Sequence, residues 1–134
     1  GMNVSVATPK AYQPDGTVLS FASAYGDKFS LTDDIHAAAA GADVVFTDVW
    51  ASMGMEGEAQ QRRAAFTGYQ VNDELLSVCA RDVMVQHCLP AHRGEEITES
   101  VFEAHANEIF DEAENRLHAQ KAVMVKLMEK PPLF

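Results

Sequence analysis

The stretch at residues 83–93, which reads V-M-V-Q-H-C-L-P-A-H-R, constrains the fold more than any other part of the chain. Its opening apolar residues are typical of a strand that is covered on both faces, as in parallel sheets. Pro90 ends this strand because it has no N–H to donate to a neighbouring strand. In open α/β sheets, ligands bind beyond the carboxyl ends of the strands, so we expect His87 and Cys88 to lie at a ligand site.

Strand and helix patterns alternate along the whole chain. The sequence predicts strands over residues 3–8, 29–32, 43–48 and 83–88. It predicts helices over residues 17–25, 58–66 and 72–80, and a further helix that Thr32 or Asp33 caps and Gly41 ends. This alternation is typical of a doubly wound, Rossmann-like α/β fold, in which helices cover both faces of a mostly parallel sheet. A length of 134 residues fits one domain.

The last helix is predicted to run from Asp111 to about Met128. Glu114 follows Asp111 at the spacing of a capping box. Helical spacing predicts a buried apolar stripe made of Leu117, Met124, Val125 and Met128. We therefore expect one face of this helix to be buried.

Charge and hydropathy argue against two classes of partner. The chain has 10 basic and 20 acidic residues, and a formal net charge of -10 would repel a nucleic-acid backbone. Its apolar runs are far shorter than the roughly 20 residues of a membrane span, and no signal segment is recognisable. We therefore expect a cytoplasmic protein, or a matrix protein whose targeting segment is missing, that binds neither nucleic acid nor membranes.

The two cysteines differ in their predicted environments. Cys79 falls on the apolar face of a predicted helix and is assigned to packing. Cys88 follows a strand, where its thiol can face a ligand. His87 at the same strand end is more often a hydrogen-bonded structural residue than a catalytic one. A zinc site is not expected, because His87 and Cys88 would point to opposite faces of an extended strand and too few other ligands lie nearby.

Asp48 closes the strand at residues 43–48 as Cys88 closes the strand at residues 83–88. If these strands are neighbours, the carboxylate and the thiol converge on one crevice. Asp48, Ser52 and the backbone N–H groups of a glycine-containing loop suit the ammonium and carboxylate groups of an amino acid. The alternative, equally supported by spacing, is that Asp48 and Ser52 cap the next helix.

Arg116 is the last candidate. Its guanidinium can grip phosphate oxygens in a bidentate manner. From the residues alone, a surface ion pair with Glu112, four positions earlier on the helix, is favoured.

Three motifs together are specific. T-D-V-W-A-S-M-G (residues 47–54), H-C-L-P (87–90) and E-N-R (114–116), in this order and spacing, closely resemble the ornithine-binding domain of the ornithine carbamoyltransferases. The likeness continues through A-T-P-K (7–10) and G-Y-Q-V (68–71), so it covers essentially the whole chain. It implies transfer of a carbamoyl group from carbamoyl phosphate to the δ-amino group of L-ornithine, giving citrulline and phosphate. No cofactor and no metal are implied.

The resemblance also assigns residues. It implies that Asp48, Ser52 and Met53 bind ornithine and that Cys88, Leu89 and Arg116 bind carbamoyl phosphate. Asp48 and Cys88 are the implied catalytic residues. From the chemistry of amine attack, we expect Cys88 to orient the amine and relay its proton rather than to form a covalent adduct. The resemblance further implies a cis Leu89–Pro90 bond, a loop at residues 52–54 that closes over ornithine, and a parent enzyme that is a homotrimer or a multiple of trimers.

The sequence departs from the family pattern at its start. It contains neither the S-T-R-T phosphate-binding loop of the amino-terminal carbamoyl phosphate domain nor the first strand and helix of the ornithine-binding domain. Residues 1–134 are therefore expected to be a partial ornithine-binding domain that is inactive alone. The alternatives are a non-catalytic ornithine-binding or interaction module, and a transcarbamylase for another amine.

Overall fold

The computed structural model describes residues 1–51, 54 and 56–129, in which strands and helices alternate. The strands are β1 (Val4–Ala7), β2 (Phe29–Thr32), β3 (Val44–Thr47) and β4 (Met84–His87). The α-helices are α1 (Gly16–Ser23), α2 (Ile35–Ala39), α3 (Ala59–Ala65), α4 (Asp73–Leu76), α5 (Glu99–Ala104) and α6 (Ala106–Met128). Short 3-10 helices occur at Lys10–Tyr12, Gly26–Lys28 and Glu56–Glu58.

The strands pair in parallel, as the alternating pattern predicts. β1 pairs with β2, and β3 pairs with β4, so the described strands form two two-stranded sheets. Each parallel pair is connected through helices, since parallel strands need a crossover. A cavity of about 370 Å³ is lined by Ser5 and Ala7 of β1 and by all of β3. The parallel α/β prediction is confirmed, with two separate strand pairs among the described residues in place of one continuous sheet.

The prediction that the strand at residues 83–88 is covered on both faces is wrong, and the neighbouring strand β3 is open in the same way. Val85 and His87 of β4 are fully buried, whereas Met84 is 40% exposed. Val44 and Phe46 of β3 are about half exposed. Because side chains alternate between the faces of a strand, these burial values show that one face packs against the core and the other is open.

The core packs on the buried face of the β3–β4 sheet and is formed by residues of α2, α4, α5 and α6 and by the segments around residues 71 and 97. Its buried apolar residues are Ala39, Val71, Leu75, Val85, Ile97, Val101, Phe102 and Ile109. A hydrogen bond also joins α6 to β4, because Glu108 Oε2 accepts from the Val85 N–H at 2.8 Å. That N–H belongs to the outer edge of β4, so α6 covers an edge that would otherwise be open to pairing.

The last helix differs from its predicted form. It begins at Ala106 and not at Asp111, and it follows α5, a helix that the pattern did not predict and that Thr98 caps. The buried residue of α6 is Ile109. The predicted stripe is exposed, from 53% at Leu117 to 78% at Met128. From Glu114 onward every described residue of the helix is exposed, because only its first turns pack against β4 and the core.

Other boundaries shift by a few residues. Asp34 caps α2, and not Thr32 or Asp33, by accepting from the N–H groups of His36 and Ala37. The helix predicted over residues 72–80 ends at Leu76. Cys79 beyond it still packs against the core, so its packing role is confirmed. None of the helices within the described ranges has the length and hydropathy required to cross a bilayer.

Candidate active site

The carboxyl ends of β3 and β4 carry the first two candidate residues. Thr47 pairs with His87 in the parallel register, so Asp48 and Cys88 both leave the sheet at the same edge. The two strands are therefore neighbours, and the condition under which the carboxylate and the thiol converge is met. Asp48 is exposed and Cys88 is half-buried, and the thiol sulfur lies within 4.8 Å of a carboxylate oxygen of Asp48. Asp48 Oδ1 also accepts from the Val49 N–H at 2.7 Å.

The environment of Cys88 keeps its thiol protonated. Burial raises the pKa of Cys88 to about 11, and the hydrogen bond to Asp48 and the Asp48 charge act in the same direction. The positive charge of Arg116 opposes them without reversing the shift in pKa. A thiol is nucleophilic only as the thiolate, so at neutral pH this group acts as a hydrogen-bond donor. The geometry therefore suits orientation of a ligand better than covalent attack.

A cavity of about 380 Å³ opens at this edge of the sheet. It is lined by Asp48, Cys88, Leu89 and Arg116 together with the charged side chains of Arg63 and Glu95. Glu95 Oε1 accepts from Arg63 Nε at 2.9 Å, so this pair contributes little net charge to the cavity. A cavity lined by both a carboxylate and a guanidinium is suited to a ligand that carries both an amine and an anionic group.

Arg116 lies on α6 and reaches the turn after β4. Its Nη1 donates to the Cys88 carbonyl oxygen at 2.6 Å. Within the described part of the chain Arg116 bonds to this carbonyl and forms no ion pair with Glu112, whose Oε2 is buried without a hydrogen-bond partner there. The surface-pair interpretation is therefore wrong. A guanidinium has five N–H groups, so the bond to Cys88 leaves donors for an anion in the cavity.

The backbone at residues 88–90 has an unusual conformation. Leu89 has a φ of 53°, in the left-handed region that residues with a side chain seldom adopt, and the Leu89–Pro90 bond is cis. The cis bond that the resemblance implies is confirmed. The Leu89 N–H donates to His87 Nδ1 at 2.9 Å. The side chain of His87 thus supports the turn that carries Cys88 and Leu89.

His87 is a fully buried structural residue, as predicted. Its Nε2 lies 3.1 Å from Oε1 of Glu96, which is also fully buried, and the N–H of His92 donates to the same oxygen. Burial alone would raise the pKa of Glu96. Hydrogen bonds from His87 and from the backbone N–H groups of His92 and Glu96 outweigh burial, so the pKa lies below that of an ordinary carboxyl group.

The geometric argument against a metal at this edge is corrected in part. Ligand atoms of Asp48, His87 and Cys88 lie within 4.8 Å of one another. The argument that His87 and Cys88 point to opposite faces of one strand fails, because β4 ends at His87 and Cys88 is already outside the strand. Both ring nitrogens of His87 are nevertheless engaged in hydrogen bonds, so the imidazole has no lone pair left for a metal.

Two predicted residues, Ser52 and Met53, lie outside the described residues. The interpretation that Asp48 caps the next helix is wrong, since the N-cap position of α3 is Glu58. Sequence reasoning missed Arg63, Glu95 and Glu96. No periodic signal marks them, although the adjacent acids in G-E-E-I directly follow the H-C-L-P-A-H-R segment.

Comparisons with known proteins agree with this geometry. Residues 1–127 match the family model described as aspartate/ornithine carbamoyltransferase, Asp/Orn binding domain. An ornithine carbamoyltransferase of Methanosarcina acetivorans is 54% identical over 128 residues, which are 96% of this chain and 42% of that protein.

Solved structures give the same result. The anabolic ornithine carbamoyltransferase of Campylobacter jejuni has a TM-score of 0.86 and 41% identity, covering 92% of this chain and 42% of its own. The Pyrococcus furiosus ornithine carbamoyltransferase has a TM-score of 0.80 and 48% identity, covering 92% of this chain and 41% of its own. The chain thus spans about 42% of the length of the curated relatives it matches. On these matches, the chain belongs to the aspartate/ornithine carbamoyltransferase family and corresponds to its Asp/Orn-binding domain.

Proposed function

We propose that this chain is the ornithine-binding part of an enzyme that carbamoylates L-ornithine. The carbamoyl group comes from carbamoyl phosphate, and the products are citrulline and phosphate. One observation supports this proposal above the others: Asp48, Cys88 and Arg116, from three separate elements, line one cavity. The family match and the names of the curated relatives agree with that reading.

The geometry suggests a role for each group. An ammonium ion is not a nucleophile, so the site must favour the neutral δ-amine of ornithine. Asp48 and the protonated Cys88 orient that amine and relay its proton as nitrogen attacks the carbamoyl carbon. Arg116 neutralises charge on the phosphate that leaves, and the Leu89 backbone faces the carbamoyl group. Ser52 and Met53 hold the remainder of ornithine.

The remaining machinery is proposed to lie in other parts of a longer enzyme. Residues 1–134 are then a partial ornithine-binding domain whose partner domain binds carbamoyl phosphate. The cavity between β1 and β3 supports this proposal, because each of these strands has an edge unpaired within the described residues, as expected where a parallel sheet lacks a strand. A cytoplasmic, trimeric parent enzyme is part of the same proposal.

A chimera tests the proposed reaction. The matching part of the Methanosarcina acetivorans relative is replaced by this chain, and citrulline formation is measured with carbamoyl phosphate and ornithine. We expect activity in the chimera, none in the isolated chain, and a loss in the chimera of about 100-fold or more on Arg116→Met, since one group that stabilises transition-state charge contributes about that much. Arg81→Met, on the turn before β4 and away from the cavity, is the matched control.

Three outcomes would contradict the proposal. Citrulline formation by the isolated chain would show that no second domain is needed. Preference of the chimera for putrescine or acetylornithine would favour a transcarbamylase for another amine. A folded chimera that binds ornithine without turnover would favour a non-catalytic binding module. Trapping of a carbamoyl group on Cys88 would instead overturn the relay role of the thiol.

A further inference from the structure

We infer that Glu96 is a positioning residue that fixes the tautomer of His87 and thereby the turn carrying Cys88 and Leu89. The contacts stand on the structure alone. Their relevance to the carbamoyl side of the site rests on the proposed function. Glu96 lies outside the cavity and acts only through His87 and the backbone of His92.

The tautomer follows from the donors around the ring. The Leu89 N–H is a backbone donor and can only donate, so His87 Nδ1 must present its lone pair. The proton of a neutral imidazole is then on Nε2, which points at Glu96 Oε1. His87 is therefore a neutral relay between a backbone N–H and a buried carboxylate, and the contact is not an ion pair of two charged groups.

Glu96 is suited to hold this arrangement. One oxygen accepts both from His87 and from the His92 N–H, so the carboxylate ties together the two ends of the turn at residues 87–92. The backbone of Glu96 is itself anchored, because its carbonyl accepts from the Val71 N–H at 2.8 Å and Ile97 forms a bridge with Val71. The anchored carboxylate thus holds both ends of the turn at residues 87–92 in place.

The turn needs such support. Leu89 has a left-handed backbone conformation that a side chain disfavours. A residue of this kind persists only where its surroundings determine its conformation. The Leu89 N–H bond to His87 and the Cys88 carbonyl bond to Arg116 are the contacts that hold this segment from its two sides. Glu96 determines whether the first of them can form.

Nitrogen-15 NMR of the isolated chain tests the tautomer directly. We expect the wild-type His87 ring to be neutral at neutral pH and protonated at Nε2, with a slowly exchanging Leu89 amide. Glu96→Ala should speed that exchange by about tenfold, as expected for one lost hydrogen bond. His87→Asn keeps an acceptor near the position of Nδ1 and should retain most of the protection.

An exposed pair supplies the control. His118 and Glu114 on α6 lie 3.2 Å apart with both side chains more than half exposed, so Glu114→Gln changes a His–Glu contact without touching the turn. Its Leu89 amide should exchange as in the wild type. A wild-type His87 protonated at Nδ1, or a Leu89 amide that exchanges at an unchanged rate in folded Glu96→Ala, would overturn the inference. If Glu96→Ala does not fold, the wild-type tautomer and His87→Asn decide the question.

The kinetic consequence is measured in the active chimera. Glu96→Gln should raise the KM for carbamoyl phosphate by about tenfold, since a neutral amide sets the ring less firmly than a carboxylate. The KM for ornithine should rise less, because Cys88 shares the binding of that substrate with Asp48, Ser52 and Met53, which are not part of residues 87–92. Equal changes in both KM values would contradict a role confined to the turn. Absence of citrulline formation in the unmodified chimera would count against the proposed function and leave the NMR result intact.

Discussion

The raised pKa of Cys88 makes a quantitative prediction about its reactivity. A thiol with a pKa of about 11 has about one thiolate per thousand molecules at about pH 8, roughly a hundredfold less than an ordinary cysteine. Asp48 contributes to the shift through its hydrogen bond and its charge, while Arg116 lowers the pKa. Substitutions of these two residues should therefore move the reactivity in opposite directions.

Alkylation by iodoacetamide measures the effect. In Asp48→Asn the pKa of Cys88 should fall and the alkylation rate at about pH 8 should rise by about 3- to 10-fold, because burial, the largest cause, remains. Arg116→Met should slow alkylation. Mass spectrometry of the two cysteine-containing peptides separates Cys88 from Cys79, which serves as the internal control.

The direction in which the alkylation rate of Cys88 changes tests the role of Asp48. Slower alkylation of Cys88 in Asp48→Asn would mean that the carboxylate does not hold the thiol in its protonated form. A wild-type rate that follows a pKa below that of an ordinary cysteine would refute the protonated donor altogether. It would then make Cys88 a candidate for covalent attack.

Further predictions concern the packing of α6. Ile109→Ala should lower the free energy of unfolding by about 2–5 kcal/mol, because a fully buried side chain leaves a cavity, whereas Leu117→Ala at a site 53% exposed should change it by less than about 0.5 kcal/mol. Urea unfolding measures both changes. A larger loss of stability in Leu117→Ala than in Ile109→Ala would mean that the apolar stripe predicted from the sequence is buried after all. Glu108→Ala should increase amide exchange at Val85 about tenfold by removing the acceptor of its N–H, and exchange as slow as in the wild type would contradict that contact.

The strands and the meeting of Asp48 with Cys88 could be predicted because they depend on local patterns and one topological rule. Short strand patterns locate β2, β3 and β4 to within a residue or two, and Gly41 and Pro90 help to bound the apolar runs of β3 and β4. Parallel strands end at the same edge, so residues directly after neighbouring strands must converge. Neither step requires knowledge of side-chain packing.

Helix α6 could not be predicted in the same way, because helical periodicity does not identify the partner of an apolar face. Leu117 and Met124 have the spacing of a buried stripe and are exposed. The packing that matters occurs earlier, where Ile109 enters the core and Glu108 accepts from β4. Those contacts occur in the first turns of the helix, which begins at Ala106. The capping-box pattern at Asp111 lies five residues later and gives no sign of them.

The contacts of the polar residues around the turn at residues 87–92 were even harder to predict from the sequence. A glutamate is normally assigned to the surface, since burying a carboxylate is unfavourable unless several donors satisfy it. For Glu96 the donors to Oε1 come from His87 and from the His92 backbone, which only the folded turn brings together, while Oε2 is buried without a hydrogen-bond partner among the described residues. Arg116 has a glutamate four residues away yet binds a carbonyl 28 residues away, because the turn presents that oxygen already oriented. Local charge patterns in the sequence therefore do not predict a hydrogen bond that joins residues of two different elements. The contacts that hold Cys88 and Leu89 in place are of that kind.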